Sequence, residues 1–407
     1  MGKMRERTDI LVVGGGLVGA SLAIALDRAG IDTVLVEAVP PARDGAPRSS
    51  DRNLALARAT VNGLRNLGVW DHAGDDATPI QSIHVTRAGE LGSVRLNAAD
   101  AGCDALGWTL PAQRLGRALQ QRLQACNRSL HRVAPARLHR LEAVRDGWHA
   151  HLELPDHAER VLHARLVVGA DGTASGVRES MGVGEETFDY GQTLFVCTVR
   201  TERPLDGRAH ERFSDAGPVA LLPLGEGRAG LVLTVEAGLA ETVAAMDDAS
   251  FLQLAQARFG WRQGRLSRPG QRFVHPIRRV AARSVIGPRT VLVGNAAQTV
   301  HPIGAQGFNL GLRDALTLAE MLDGVADPGD ADLLASYATR RAPDREGVMA
   351  MSHGLIRLAC LPQSWLGPLR SLGMWAAGAL PGVRERVLRQ GMGFRGKPPR
   401  AVLERMP

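Results

Sequence analysis

The sequence predicts a mixed α/β chain, α+β in its arrangement: a Rossmann-like unit interrupted by an antiparallel sheet and followed by a helical tail. Three observations lead there. A buried-strand run, Thr8 to Val13, ends in a glycine cluster and opens into a helical pattern. A second apolar run, Thr290 to Val293, passes through a Pro/Gly loop into another helical pattern, Leu310 to Leu322. Between them lie segments that alternate in strand fashion, such as Leu194 to Arg200.

The N-terminal element is the most specific. Gly14-x-Gly16-x-x-Gly19 closes the first strand, the helical pattern runs through Ala29, and Thr33 to Val36 reads as the next strand. Glu37 follows, 18 residues after the third glycine. Glycines in such a turn admit a pyrophosphate to the helix N-terminus, and the acid reaches a ribose hydroxyl. An acid at 37 favours an unphosphorylated ribose, hence FAD or NAD. The segment 41–51, rich in Pro, Ala, Gly and Ser, reads as a mobile loop. A second match to the glycine pattern, Gly225-x-Gly227-x-x-Gly230, lies between two short strand-like runs with no helix behind it, and reads as a hairpin turn. Asp327 to Asp332 reads as a turn between helices.

A third motif stands between the two strand–loop–helix crossings. Val161 to Val168 is strand-like and ends in Gly169-Ala-Asp171-Gly-Thr-Ala-Ser-Gly-Val-Arg178. With the N-terminal fingerprint and the block Gly294 to Ala315, this order resembles the single-component FAD-dependent aromatic hydroxylases of the para-hydroxybenzoate hydroxylase fold group. Within that group the chain is most similar to the ubiquinone-biosynthesis hydroxylases, in particular those acting on a 2-polyprenyl-6-methoxyphenol. The likeness runs over nearly the whole chain and includes Asp51 to Leu56, Gln113 to Leu115, Glu211 to Phe213, Gly217 to Pro223 and Phe259 to Arg262. One position departs from the wider group: Asn295 stands where most members carry an Asp that holds the flavin-side ribose.

The resemblance implies an FAD-binding Rossmann-like domain assembled from 1–73, 103–180 and 275–350. An antiparallel-sheet substrate domain would come from 74–102 and 181–274, and a C-terminal helical tail from 351–407. It implies NAD(P)H as co-substrate, bound without a second Rossmann domain, and O2 activation as a flavin C4a-hydroperoxide that hydroxylates a polyprenylated phenol. Besides Gly14, Gly16, Gly19 and Glu37, it carries Arg52, Gln113, Asp171 and Asn295 over as FAD contacts. Backbone amides at Gly304, Gln306, Gly307 and Asn309 would line the flavin's pyrimidine edge. His301 is the one titratable side chain in the loop expected to face the substrate. It reads either as a proton-transfer group or as a structural histidine held by backbone. Tyr190 and Tyr337 are the only tyrosines, and no substrate base is identifiable.

Composition is compatible with this and excludes other classes. Hydrophobic content of 44% and charged content of 22% in 407 residues are those of a globular chain. Cys103, Cys126, Cys197 and Cys360 form no CxxC pair, which argues against a metal site or a disulfide framework. Met1 to Arg7 is too polar for a signal peptide, and no apolar run approaches a spanning helix. These features point to the cytoplasm. From Met351 onward nine Lys/Arg face two glutamates, a surplus equal to the +7 of the whole chain. The same stretch is rich in Leu and Trp, including Trp365 and Trp375. It reads either as a surface for an anionic membrane, on the inner face of the cell membrane, or a partner protein of ubiquinone biosynthesis, or as packing on the body. The basic residues match no nucleic-acid reader module. Two other functions stay open at this level: another flavin reaction on the same scaffold, and a flavin-bound structural subunit of a biosynthetic complex. The six tryptophans make no Trp-x-Trp, the motif of flavin halogenases.

Overall fold

The computed structural model describes residues 6–39, 53–360 and 367–403. The 41–51 loop, Arg52 and Trp365 lie outside the described residues. Five strands form the parallel centre of the first sheet, in the order Thr290–Leu292, Glu159–Gly169, Arg7–Val13, Thr33–Val36, Leu130–Val133. Its middle strands are apolar without alternation, as strands covered on both faces are; every residue of Thr33–Val36 is buried. The helix Leu17–Arg28 lies on this sheet, and Gln306–Leu322 packs against that helix. The contact is close: a Cβ on Gly311 would lie 2.7 Å from the Val18 side chain and 3.0 Å from the Gly294 Cα. Two antiparallel strands, Arg137–Val144 and Gly147–Glu153, extend the sheet through the first half of Glu159–Gly169.

The second sheet has nine strands, almost all antiparallel. One face packs on the helix Asp248–Phe259 through Phe195, Leu221, Leu231, Leu233 and Phe251. The Gly225–Gly230 pattern is a hairpin turn, with Gly225, Glu226 and Gly227 all at positive φ and Leu224 N–H donating to the Arg228 carbonyl at 3.2 Å. Two expected boundaries move. Phe273–Ala282 pairs along Glu185–Thr201, so residues 275–282 belong to this sheet and not to the third FAD piece. Thr78–Ile80 instead joins Asn53–Ala57 and Gly107–Pro111 in a separate three-stranded sheet, and only Ser82–Arg87 and Ser93–Asn97 enter the large one. Strand pairing decides both cases, and alternation alone carries no information about the partner.

The tail is built onto the body. The helix Ala331–Ala359 runs through the expected boundary at 350, followed by Gly367–Ala379 and Pro381–Gly391. Leu388 and Met392 pack with Val94, Leu96 and Leu106. Val402 is fully buried, and the Asn62 amide donates to its carbonyl at 3.1 Å. The buried Arg370 guanidinium donates to Glu90 at 2.8 Å, and Arg384 pairs with Asp100. Among the described residues no helix is long and apolar enough to cross a membrane.

Candidate active site

The three glycines of the fingerprint have separate tasks. Gly14 has φ +102°, and a Cβ there would lie 2.5 Å from the Ala170 carbonyl oxygen. A Cβ on Gly19 would lie 1.9 Å from the Gly14 carbonyl oxygen. These two glycines let the helix, the first strand and the 169–171 segment close on each other. Gly16 faces open space: a Cβ there would meet nothing within 4 Å. It is also the N-cap of Leu17–Arg28, with no side chain capping the helix. Uncapped amides at a positive dipole end, next to a glycine opening, fit a pyrophosphate. At the end of the next strand the Glu37 carboxylate accepts from Gly15 N–H at 2.6 Å and Val39 N–H at 2.7 Å, which holds it beside the same opening. The residues present therefore fit a dinucleotide.

The remaining expected contacts divide. Asn295 sits in the turn Gly294–Ala296 with its amide exposed and no hydrogen bond to another described residue, so it is available to a ligand. Gln113 is half-buried in the first turn of Ala112–Gln124. Asp171 is engaged locally: it accepts from Ser175 Oγ at 2.6 Å and Val177 N–H at 3.2 Å, bracing the start of the helix Gly176–Ser180. That makes it a support for the turn behind Gly14, beside the pyrophosphate region where a contact was expected. Arg52 lies outside the described residues.

Gly304 and Ala305 are consecutive left-handed residues, φ +64° and +51°, directly ahead of Gln306–Leu322. A non-glycine residue in that region is strained, and such strain concentrates at functional turns. No side chain caps this helix, so its first turn, with Gln306 and Gly307, presents amides toward the loop. At Asn309, where a backbone amide is expected at the flavin edge, the side chain has a task of its own. Its side chain is buried and committed to backbone, accepting from Ala57 N–H at 2.9 Å and donating to the carbonyls of Ala55 at 3.0 Å and Ala305 at 2.7 Å. It clamps the strand Asn53–Ala57 to the helix start.

His301 is also committed. Its Nδ1 accepts from Ile303 N–H at 3.1 Å, so the proton sits on Nε2, which donates to Gln192 Oε1 at 3.4 Å. Burial pushes its pKa down to about 4, so the ring is neutral near pH 7. The ring packs edge-on against Tyr190, centroids 4.8 Å apart, and the Tyr190 hydroxyl meets His353 Nδ1 at 3.3 Å. A buried histidine bonded at both ring nitrogens favours the structural one of its two readings, shaping the loop.

An apolar cavity of about 80 Å³ opens between the three-stranded sheet, the edge of the nine-stranded sheet and the tail. Ala55, Leu56, Ile83, Leu96, Leu106, Leu388 and Met392 line it, with Gly304 and Asn309 at its flavin-loop side. Leu388 and Met392 come from the tail, for which packing on the body was one of the readings open to the sequence. Sequence reasoning missed the network behind the 294–298 turn. Asp314 accepts from Gly294 N–H at 3.3 Å, Gln298 Nε2 at 2.8 Å and Arg341 at 2.8 Å, and Asp344 accepts from Arg313 at 2.7 Å. Burial alone would raise the Asp344 carboxyl, but Arg313 and Arg341 more than offset it and hold it below its ordinary value. Arg341 and Asp344, one helical turn apart beside an apolar run, were the available signal. Among the described residues no cluster could hold a metal ion.

A family model described as an FAD binding domain matches residues 7–352. The chain is 35% identical over 396 residues to the ubiquinone hydroxylase UbiL of Rhodospirillum rubrum, covering 96% of this chain and 91% of that one. It is 31% identical over 404 residues to the 3-demethoxyubiquinol 3-hydroxylase of Escherichia coli, covering 96% and 99%. Among solved structures, p-nitrophenol 4-monooxygenase PnpA from Pseudomonas putida superposes with a TM-score of 0.78 at 18% identity over 97% of this chain and 100% of that one, a likeness of fold. With the glycine opening, the helix start at Gln306 and the cavity between the sheets already in place, these matches make the chain a member of the FAD-binding ubiquinone-biosynthesis hydroxylases.

Proposed function

We propose that this enzyme hydroxylates the ring of a polyprenylated methoxyphenol, with O2 and NAD(P)H as co-substrates. The observation that carries the substrate class is the apolar cavity at the junction of the FAD-binding part and the nine-stranded sheet, closed by Leu388 and Met392. Its aliphatic lining suits an apolar ring and excludes water from it; at about 80 Å³ the chamber must widen to admit the prenyl chain. FAD, when bound, supplies the redox chemistry that activates O2. In this reading Gly16 and the helix start behind it take the pyrophosphate, and Glu37 takes a ribose hydroxyl. Asn295 takes a flavin-side hydroxyl, Gln113 lies near the flavin, and the amides of Gln306 and Gly307 take the pyrimidine edge. Asp171, Gly304, Asn309 and His301 hold those groups in place. The 31% identity to a demethoxyubiquinol hydroxylase favours, as a second reading, a demethoxyquinol with a different ring position attacked.

A polyprenyl substrate resides in the bilayer, so delivery requires a surface that meets lipid. The outer face of Gly367–Ala379 carries exposed Leu369, Leu372 and Trp375, continued by Leu380 and Val383. We assign this stripe to peripheral membrane contact.

Purified enzyme with NADPH and a short-chain 2-prenyl-6-methoxyphenol should give a product heavier by about 16 Da, one oxygen. A parallel incubation with a short-chain demethoxyquinol separates the two substrates. Flavin reduction without an oxygenated product from either would remove the hydroxylase reading.

A further inference from the structure

The inner face of the nine-stranded sheet carries a carboxyl group to which the proposed function gives no role. Glu211 lies on Arg208–Phe213, paired with Ala220 on one side and Val85 on the other. The row across the sheet reads Val196, Val232, Ala220, Glu211, Val85, Val94, apolar at every other position. The opposite face is fixed by His210, whose ring packs edge-on against Phe259 of the covering helix. Glu211 therefore points away from that helix, toward the FAD-binding part.

Its neighbours on the strand locate it further. Two residues before it, Ala209 pairs with the cavity-lining Ile83. Two residues after it, Phe213 packs on Ile303 of the loop that precedes Gln306. Two residues of strand span about 7 Å, so Glu211 stands between the cavity rim and the flavin loop. It makes no hydrogen bond or ion pair with any described residue. The charged and titratable groups around it do not neutralise it. Arg87 is engaged by Glu90 at 3.1 Å and by Asp215. Cys360, at the end of the Ala331–Ala359 helix, has its thiol pushed up to about 11, first by burial. Beyond Phe213 lie Tyr190, the neutral His301 and His353.

An unpaired carboxylate on an apolar roof is costly, and such groups are retained where they do chemistry. We propose that Glu211 is the general base for the phenolic substrate. The substrate O–H bond breaks, the proton forms an O–H bond with the Glu211 carboxylate, and the electron pair stays on the phenolate oxygen, enriching the ring carbons ortho and para to it. The proton passes to solvent after the product leaves. This role rests on the aromatic-hydroxylation reading. Burial pushes the Glu211 pKa up to about 7, where a base is best matched to neutral pH.

Two measurements on the FAD-loaded protein test it, comparing wild type with Glu211→Gln. The first is melting temperature against pH, without substrate. The folded carboxyl is harder to ionise than the unfolded one, so wild type should lose stability relative to the variant as pH rises from the ordinary glutamate value through about 7. Superimposable curves overturn the proposal. The second is kcat with a prenylated phenol of ordinary acidity and with a fluorinated analogue already ionised at the assay pH. The variant should be slower on the first by about 10²–10⁴-fold, the usual contribution of a general base, and nearly unimpaired on the second. Equal slowing on both, or none on either, overturns it. A wild type that oxygenates neither phenol overturns the hydroxylase reading itself and this role with it.

Discussion

A Cβ added at Gly14 would strike the Ala170 carbonyl oxygen at 2.5 Å, whereas one added at Gly16 would meet nothing within 4 Å. Gly14→Val should therefore damage the fold, through positive φ and overpacking, by about 2–4 kcal/mol. Gly16→Val should keep the fold and lose FAD. Chemical unfolding and the flavin absorbance of the purified variants check both, and a fully yellow Gly16→Val protein would show that the pyrophosphate does not enter there. The motif's position and ligand class were legible in the sequence, because a strand, three glycines, a helix and an acid sit in one local stretch. The division of labour was not, since it depends on a segment more than 150 residues away. His301 illustrates the same limit. The sequence leaves a proton-transfer and a structural reading open, and only the Ile303 amide, the Gln192 side chain and the depth of burial favour the structural one. With the folded pKa near 4 against 6.5, the unfolded chain takes up the proton first. The neutral ring's contribution is thus present above pH 6.5 and lost as pH falls toward 4, by at most about 3 kcal/mol. His301→Gln should flatten that part of the stability–pH curve while leaving the pH profile of turnover between 6 and 8 unchanged, which urea unfolding and steady-state rates would read.

The helices Gln306–Leu322 and Ala331–Ala359 meet across four buried charges, and this junction fixes the 294–298 turn. Replacing one partner of a buried pair leaves the other charge uncompensated, at about 3–5 kcal/mol. Asp314→Asn should lower stability by that order and weaken FAD binding as well, because one amide oxygen replaces the two carboxylate oxygens that Gly294, Gln298 and Arg341 share. Unfolding midpoints and FAD titration measure the two effects; a destabilised variant with unchanged FAD affinity would confine the network to helix packing. Elements whose identity is local were readable: four of the five parallel strands as apolar runs, all but Leu130–Val133, and the Gly225–Gly230 hairpin as strand, turn, strand. Elements whose partner is remote were not. Residues 275–282 look like any strand leading into the 290–293 run, and only their ladder with Glu185–Thr201 assigns them to the large sheet.

At the scale of the whole molecule the tail has two faces. Its inner face closes the cavity through Leu388 and Met392 and is pinned by Arg370 on Glu90 and Arg384 on Asp100. Arg395 donates to Gln390 Oε1 at 3.0 Å, so of the basic cluster at 384–395 only Arg386 and Arg389 are left on the exposed surface. Its outer face is apolar: Leu369, Leu372 and Trp375 are 62%, 59% and 56% exposed along one side of a helix. A membrane contact built this way takes most of its energy from apolar burial, about 1.5 kcal/mol for each of two such side chains, with about 1 kcal/mol per arginine that salt screens. Leu372→Glu with Trp375→Glu should reduce flotation with anionic liposomes by about 10²-fold, the equivalent of about 3 kcal/mol. Arg386→Glu with Arg389→Glu should reduce it less, and only at low salt. Arg384→Glu should chiefly loosen the tail, seen as a lower melting temperature, because its partner is Asp100 and not lipid. If the double apolar variant floats as wild type does at low and high salt, the stripe does not meet the bilayer, and a protein partner covers it instead.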